Sequence, residues 1–231
     1  MRRRVLAEFT GSAMLVTVVV GSGIAAAKLS PNDVGLQLLE NSMATVLGLT
    51  VLILLFGPVS GAHFNPVVSL ADWWLGRRSG AGISGPDLLA YSVVQLVGGI
   101  AGALLANVMF DRRIVELATK DRVTPGHLVG EVVATAGLIA LIFGLARTGR
   151  TALSAPAVGA YIGAAYWFTS STSFANPAVT IGRMFSDTFA GIAPNSVLPF
   201  VAAQLFGGVV GVLVALALYP DVVPHHTKAM E

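Results

Sequence analysis

The chain has 231 residues, 55% of them hydrophobic and only 11% charged, with a formal net charge of +2 and no cysteine. A soluble domain carries roughly a quarter charged residues, so this composition cannot cover a globule with polar surface and points to a membrane protein. Disulfides and thiolate metal sites are excluded, and the scattered basic residues argue against a nucleic-acid surface. No nucleophile–base constellation or metal-ligand cluster marks an enzyme, and no cofactor is expected.

Crossing a ~30 Å hydrocarbon core takes about 20 apolar residues. In chain order six segments qualify: 5–27, 38–57, 88–110, 127–146, 152–170 and 197–219. They are long apolar runs, not alternating strands of roughly ten residues, so they predict helices and not a β-barrel. The first follows Arg2-Arg3-Arg4 and ends in Ala25-Ala26-Ala27, a layout shared with signal peptides. Its length, and Glu8 within it, favour a retained span. The N-terminal arginines, Arg77-Arg78, Arg147 with Arg150, and Lys228 fall on one side of the membrane. Lys28, Arg112, Arg113, Lys120 and Arg122 fall on the other. The positive-inside rule then places both termini in the cytoplasm of a multi-pass protein in a cell membrane, plasma or bacterial inner.

After the second span comes "GAHFNPVV" (61–68), and after the fifth comes "SFANPAVT" (173–180). Each reads as an N-cap asparagine, Asn65 or Asn176, with Pro66 or Pro177 at the first helical position. About ten mostly apolar residues follow, enough for ~15 Å of helix, half the membrane. "QLVGGIAG" (95–102) likewise recurs as "QLFGGVVG" (204–211), and Glu8 has a counterpart in Glu131. The chain is therefore a single domain, 1–231, written twice, as about 1–110 and 126–220. Three spans per half is an odd number, so the halves are inverted in the membrane. Two half-helices then meet at the midplane from opposite faces, each presenting free N–H groups and the positive end of its dipole, an arrangement that repels cations.

Carried by "SGAHFNPVVSL", "FANPAVT", the paired glutamates and the Gln-x-x-Gly-Gly repeats, the sequence resembles the aquaporin, or major intrinsic protein, family over nearly its whole length. The resemblance implies an all-α membrane fold with six transmembrane helices and two re-entrant half-helices. It also implies a pore in each protomer of a homotetramer, passing water or small uncharged solutes passively. It assigns Asn65 and Asn176, with Pro66, Val67, Pro177 and Ala178, to the pore midplane. The asparagine amides become donors to passing oxygen atoms. Glu8 and Glu131 become buried acceptors for re-entrant loop backbone, in preference to a proton relay. His63 lines the cytoplasmic part of the pore, with pH gating as the less favoured alternative.

The family usually places an arginine three residues after the second asparagine; here Val179 stands there. Counting back from the asparagines puts the other filter positions at Thr45, Ala164 and Ser173. That set is small on every side, which predicts passage of glycerol, urea or metalloid hydroxides such as arsenous acid. Arg183, one turn beyond Val179, either supplies the positive charge of the outer vestibule or snorkels outward. A water-selective channel with an atypical filter is the alternative. A secondary transporter on an inverted repeat is a further one, although no acid pairs with the Asn-Pro region to couple ions. The expected partners are membrane lipids, water and small neutral solutes.

Overall fold

The computed structural model describes residues 1–77 and 80–220. Among them are eight α-helices: α1 (Arg2–Leu29), α2 (Val34–Ser60), α3 (Pro66–Gly76), α4 (Gly85–Met109), α5 (Pro125–Arg147), α6 (Ser154–Phe168), α7 (Pro177–Arg183) and α8 (Pro194–Leu218). A 3₁₀ turn, Thr151–Leu153, leads into α6. Helix starts follow the caps in the sequence. Asp33, Asn65, Ser84, Thr124 and Asn176 each accept a backbone N–H of the helix they precede, which satisfies one of its orphan donors.

Five helices, α1, α2, α4, α5 and α8, are long and apolar enough to cross a bilayer. The fifth expected segment is shorter than its apolar run. α6 has 15 residues, and with the 3₁₀ turn it rises ~28 Å, close to a ~30 Å core. Thr169 ends it, turning to extended backbone while its Oγ1 donates to the Ala165 carbonyl at 2.7 Å. The half-helices are unequal, 11 residues in α3 and 7 in α7. Arg78 and Lys228, used for orientation, lie outside the described residues.

The two halves pack by the same plan. α1 lies against α2 and α4, and α5 against α6 and α8. α7 packs chiefly onto α4 of the first half, while α3 lies against both α4 of its own half and α8 of the second. Two glycines make that seat. A Cβ on Gly99 would fall 2.5 Å from the Ala178 carbonyl oxygen, and one on Gly208 would fall 2.5 Å from Val67 Cγ1. Their neighbours Gly98, Gly102, Gly207 and Gly211 bring α4 and α8 onto the backbones of α1 and α5, the close approach small residues allow in membranes.

Candidate functional site

The loops that bring the chain to the midplane are irregular, and their backbone donors need partners where no water reaches. Glu8 and Glu131, both 0% exposed, supply them. Glu8 accepts from His63 N (3.0 Å), Phe64 N (2.8 Å), Ser60 Oγ (2.6 Å) and Gln95 Nε2 (2.7 Å). Glu131 accepts from Phe174 N (2.9 Å), Ala175 N (2.9 Å) and Gln204 Nε2 (2.6 Å). The glutamines bridge onward to Ser69 Oγ and Thr180 Oγ1, one turn into each half-helix. The two loops share a backbone path as well. Ala62 and Phe64 in one, Ser173 and Ala175 in the other, take left-handed φ angles of 48 to 51°. For residues with a Cβ that is strain, of order 1 kcal/mol or more each, and the paired carboxylate networks hold it in place.

The asparagines close the arrangement. Asn65 Oδ1 caps α3 through Val67 N, and its Nδ2 donates to the Ala175 carbonyl at 2.8 Å. Asn176 mirrors it, capping α7 through Ala178 N and donating to the Phe64 carbonyl at 2.8 Å. Each cap thus fastens its own half-helix to the opposite loop. Both asparagines border a cavity of about 520 Å³ that runs from Gly57, Pro58 and Ala155 at one end to Tyr166 and Arg183 at the other. Pro66, Val67, Pro177 and Ala178 do not line it. Val67, Pro177 and Ala178 are buried, with Val67 and Ala178 turned towards the glycines behind. Val68 and Val179 face the cavity in their stead.

Towards the Arg183 end the cavity wall carries Thr45, Ser173 and Val179, but not Ala164. Ala164 is exposed on the outward face of α6. Val158, Ile162 and Tyr166, spaced four apart, form the inward face, and position 164 lies ~200° round the helix from 162. The count back from Asn176 therefore misses the cavity wall at α6, and the wall near Thr45, Ser173 and Val179 includes the Tyr166 ring. Thr45 Oγ1 donates to the Asn41 carbonyl (2.8 Å), so Tyr166 Oη donates to Thr45 at 3.1 Å and the ring is pinned. Ser173 Oγ is buried without a partner among the described residues.

Arg183 is 2% exposed and borders the cavity. Its guanidinium carbon lies 3.5 Å above the Phe174 ring, and its Nε donates to the Ala190 carbonyl. It does not snorkel. At the other end Asp72 borders the cavity, its carboxylate accepting from Ile83 N at 2.8 Å. Asp72 stands seven residues after Asn65, as Arg183 does after Asn176, so the repeat itself pointed to a pair that the sequence reading left unread. Between them His63 reaches the cavity, its Nδ1 3.0 Å from Ser69 Oγ and its ring edge-on to Tyr91.

Residues 1–172 match the family model described as Major intrinsic protein. The chain is 46% identical over 207 residues to "Aquaglyceroporin AqpS" of Rhizobium meliloti, covering 90% of this chain and 86% of that one. It is 28% identical over 255 aligned positions to the "Glycerol uptake facilitator protein" of Pseudomonas aeruginosa, covering 96% and 88%. The fold matches that of the aquaglyceroporin from Plasmodium falciparum with a TM-score of 0.69 at 18% identity, over 96% of both chains.

Proposed function

The chain belongs to the major intrinsic protein family, and from that premise we propose that its cavity is a passive pore for water and small uncharged solutes such as glycerol, sorted at an outer constriction of Thr45, Tyr166, Ser173 and Val179. The observation that carries the reading is the lining. From Asp72 to Arg183 the wall is apolar or neutral apart from His63, so an uncharged molecule meets no ion pair and no compensating charge. The constriction is two-sided. The Tyr166 ring and Val179 offer an apolar wall, while the partnerless Ser173 hydroxyl offers a hydrogen bond. A polyol has the same division, a carbon edge and a hydroxyl edge. Urea and uncharged metalloid hydroxides such as arsenous acid share enough of it to pass. Ions are opposed by two half-helix N-termini, each worth roughly half a positive charge, facing the midplane, and by Arg183 beyond them.

In this reading Asn65 and Asn176 are the midplane donors, Glu8 and Glu131 scaffold the loops, and His63 lines the cytoplasmic half. The protein spans its membrane several times, with both termini in the cytoplasm of a plasma or bacterial inner membrane, and assembles as a homotetramer, as the family resemblance implies. The test is stopped-flow light scattering on proteoliposomes, with water, glycerol, urea and arsenous acid measured side by side. Permeability to glycerol no higher than in protein-free vesicles would rule the reading out.

A further inference from the structure

The outer mouth holds a charge pattern that passage of neutral solutes does not need. The turn 189–191 supplies successive carbonyls to two arginines. Arg122 Nε donates to Gly191 O at 2.7 Å and its Nη2 to Phe189 O at 3.2 Å, while Arg183 Nε donates to Ala190 O between them. Both guanidiniums lie against the Phe174 ring, at 3.5 Å for Arg183 and 5.1 Å for Arg122. Lys120 joins them. Its carbonyl accepts from Ala193 N at 2.8 Å, and its Nζ lies 5.3 Å from the centre of the Phe189 ring. Arg122 and Arg183 are 7% and 2% exposed, yet among the described residues no carboxylate forms an ion pair with any of the three. Neither Nη of Arg183 has an acceptor there.

The nearby acids are engaged elsewhere. Asp121 accepts from Ser196 Oγ and Val123 N, Asp187 from Thr119, and Glu116 pairs with Arg112. Glu131 is taken up by the re-entrant loop. Burying cations without counter-charge is costly, and here only backbone carbonyls and one ring face offset it. The strain shows on the loop. Partial burial, then the charges of Arg122 and Arg183, lowers the Lys120 ammonium to about 8, and burial with Arg183 lowers Arg122 to about 9.

We propose that the outer mouth is a binding site for a small tetrahedral oxyanion, sulfate or a phosphate group, held between Lys120 Nζ and the Nη edge of Arg183, and that an anion seated there obstructs solute on its way to Thr45 and Tyr166. The obstruction rests on the pore reading above; the binding does not. Charge-assisted contacts to an oxyanion supply what the protein leaves open.

Sulfate, whose charge is constant over the pH range used, is the probe. Glycerol entry into proteoliposomes of zwitterionic lipid is compared in sulfate and in chloride at matched ionic strength and osmolarity, each rate taken relative to the same protein in chloride. Sulfate slows the wild type roughly threefold, and Lys120→Gln needs roughly fivefold more sulfate for the same effect, as loss of one exposed charge-assisted contact would give. Lys120→Arg keeps the wild-type response. The wild-type effect is full below pH 8 and fades as pH rises through it, because Lys120 there loses its charge. The other charged or ionisable groups around Lys120 are Arg122 and Arg183, with Asp121, Asp187 and Glu116 engaged on the flanking loops as above and His127 bonded to the Arg122 carbonyl. In detergent, sulfate raises the melting temperature of the wild type and not of Lys120→Gln. If vesicles containing an anionic glycerophospholipid are slow without sulfate, and Lys120→Gln relieves them, a lipid phosphate is the natural occupant. Equal rates in sulfate and chloride with no shift in melting temperature overturn the proposal. Equal sulfate sensitivity of Lys120→Gln does so too. Absence of any glycerol flux would instead overturn the pore reading, and the melting arm would still judge the anion site.

Discussion

Asn176 uses both ends of its amide, Oδ1 to cap α7 and Nδ2 to hold the Phe64 carbonyl. Asn176→Asp keeps the cap and loses the donor. It leaves a buried carbonyl unpaired, costing about 1–3 kcal/mol, and it sets a negative charge between two positive helix ends. Vesicles carrying it should leak protons or sodium, read with a pH-sensitive dye or a sodium indicator; a folded variant as tight as the wild type would refute this account of the midplane barrier. Further out, Ala164→His should leave glycerol and water rates alone, because that side chain points away from the cavity, while Tyr166→Ala should admit longer polyols faster. The reverse pattern would restore Ala164 to the wall. The sequence concealed this choice for a physical reason. Both residues sit in an apolar run whose hydrophobic pattern has no polar face, so nothing in it marks which side meets the lumen. A count from the motif carries any change in loop length straight into helix rotation. That run holds three polar aromatics, Tyr161, Tyr166 and Trp167, and only its helical rotation decides that Tyr166 meets Thr45.

At the scale of elements, α7 is held through backbone and α3 through a side chain. A methyl on Gly99 would meet the Ala178 carbonyl oxygen at 2.5 Å, where only a shift of the half-helix gives relief. A methyl on Gly208 would meet Val67 Cγ1, which can turn. Gly99→Ala should therefore cost about 1–3 kcal/mol, the usual range for overpacking, and Gly208→Ala clearly less. The melting temperatures of the two variants in detergent check this, and equal losses would contradict the seating described. The re-entrant elements were legible because Asn and Pro carry their own start signal and because the motif occurs twice. The length of α3, 11 residues against about ten expected, was legible too, and that of α7 was not. α7 stops at Arg183 after 7 residues, where the loop 184–193 bonds back to Ala118, Lys120 and Arg122, and those long-range contacts leave no local trace.

For the whole molecule, hydropathy and an odd number of spans per half were enough to read an inverted six-span fold. That each half-helix reaches a long helix of the opposite half also follows from that inversion. The polar lining of the cavity is gathered from several helices and from both re-entrant loops; for Asp72 the one sign was its place in the repeat, seven residues after Asn65 as Arg183 is after Asn176. The claim on which the account turns is that solute size is judged at the Val179 level, opposite Tyr166. Replacing Val179 by arginine tests it most directly, since a guanidinium there would fill cross-section beside the Tyr166 ring and offer fixed donors to one small oxygen at a time. The measurement is the ratio of glycerol to water permeability, by stopped-flow on proteoliposomes holding equal amounts of wild type or Val179→Arg. The account predicts a ratio at least roughly tenfold lower in the variant, a difference of about 1.4 kcal/mol in barrier height, with most of the water flux kept. An unchanged ratio in a folded variant would contradict it.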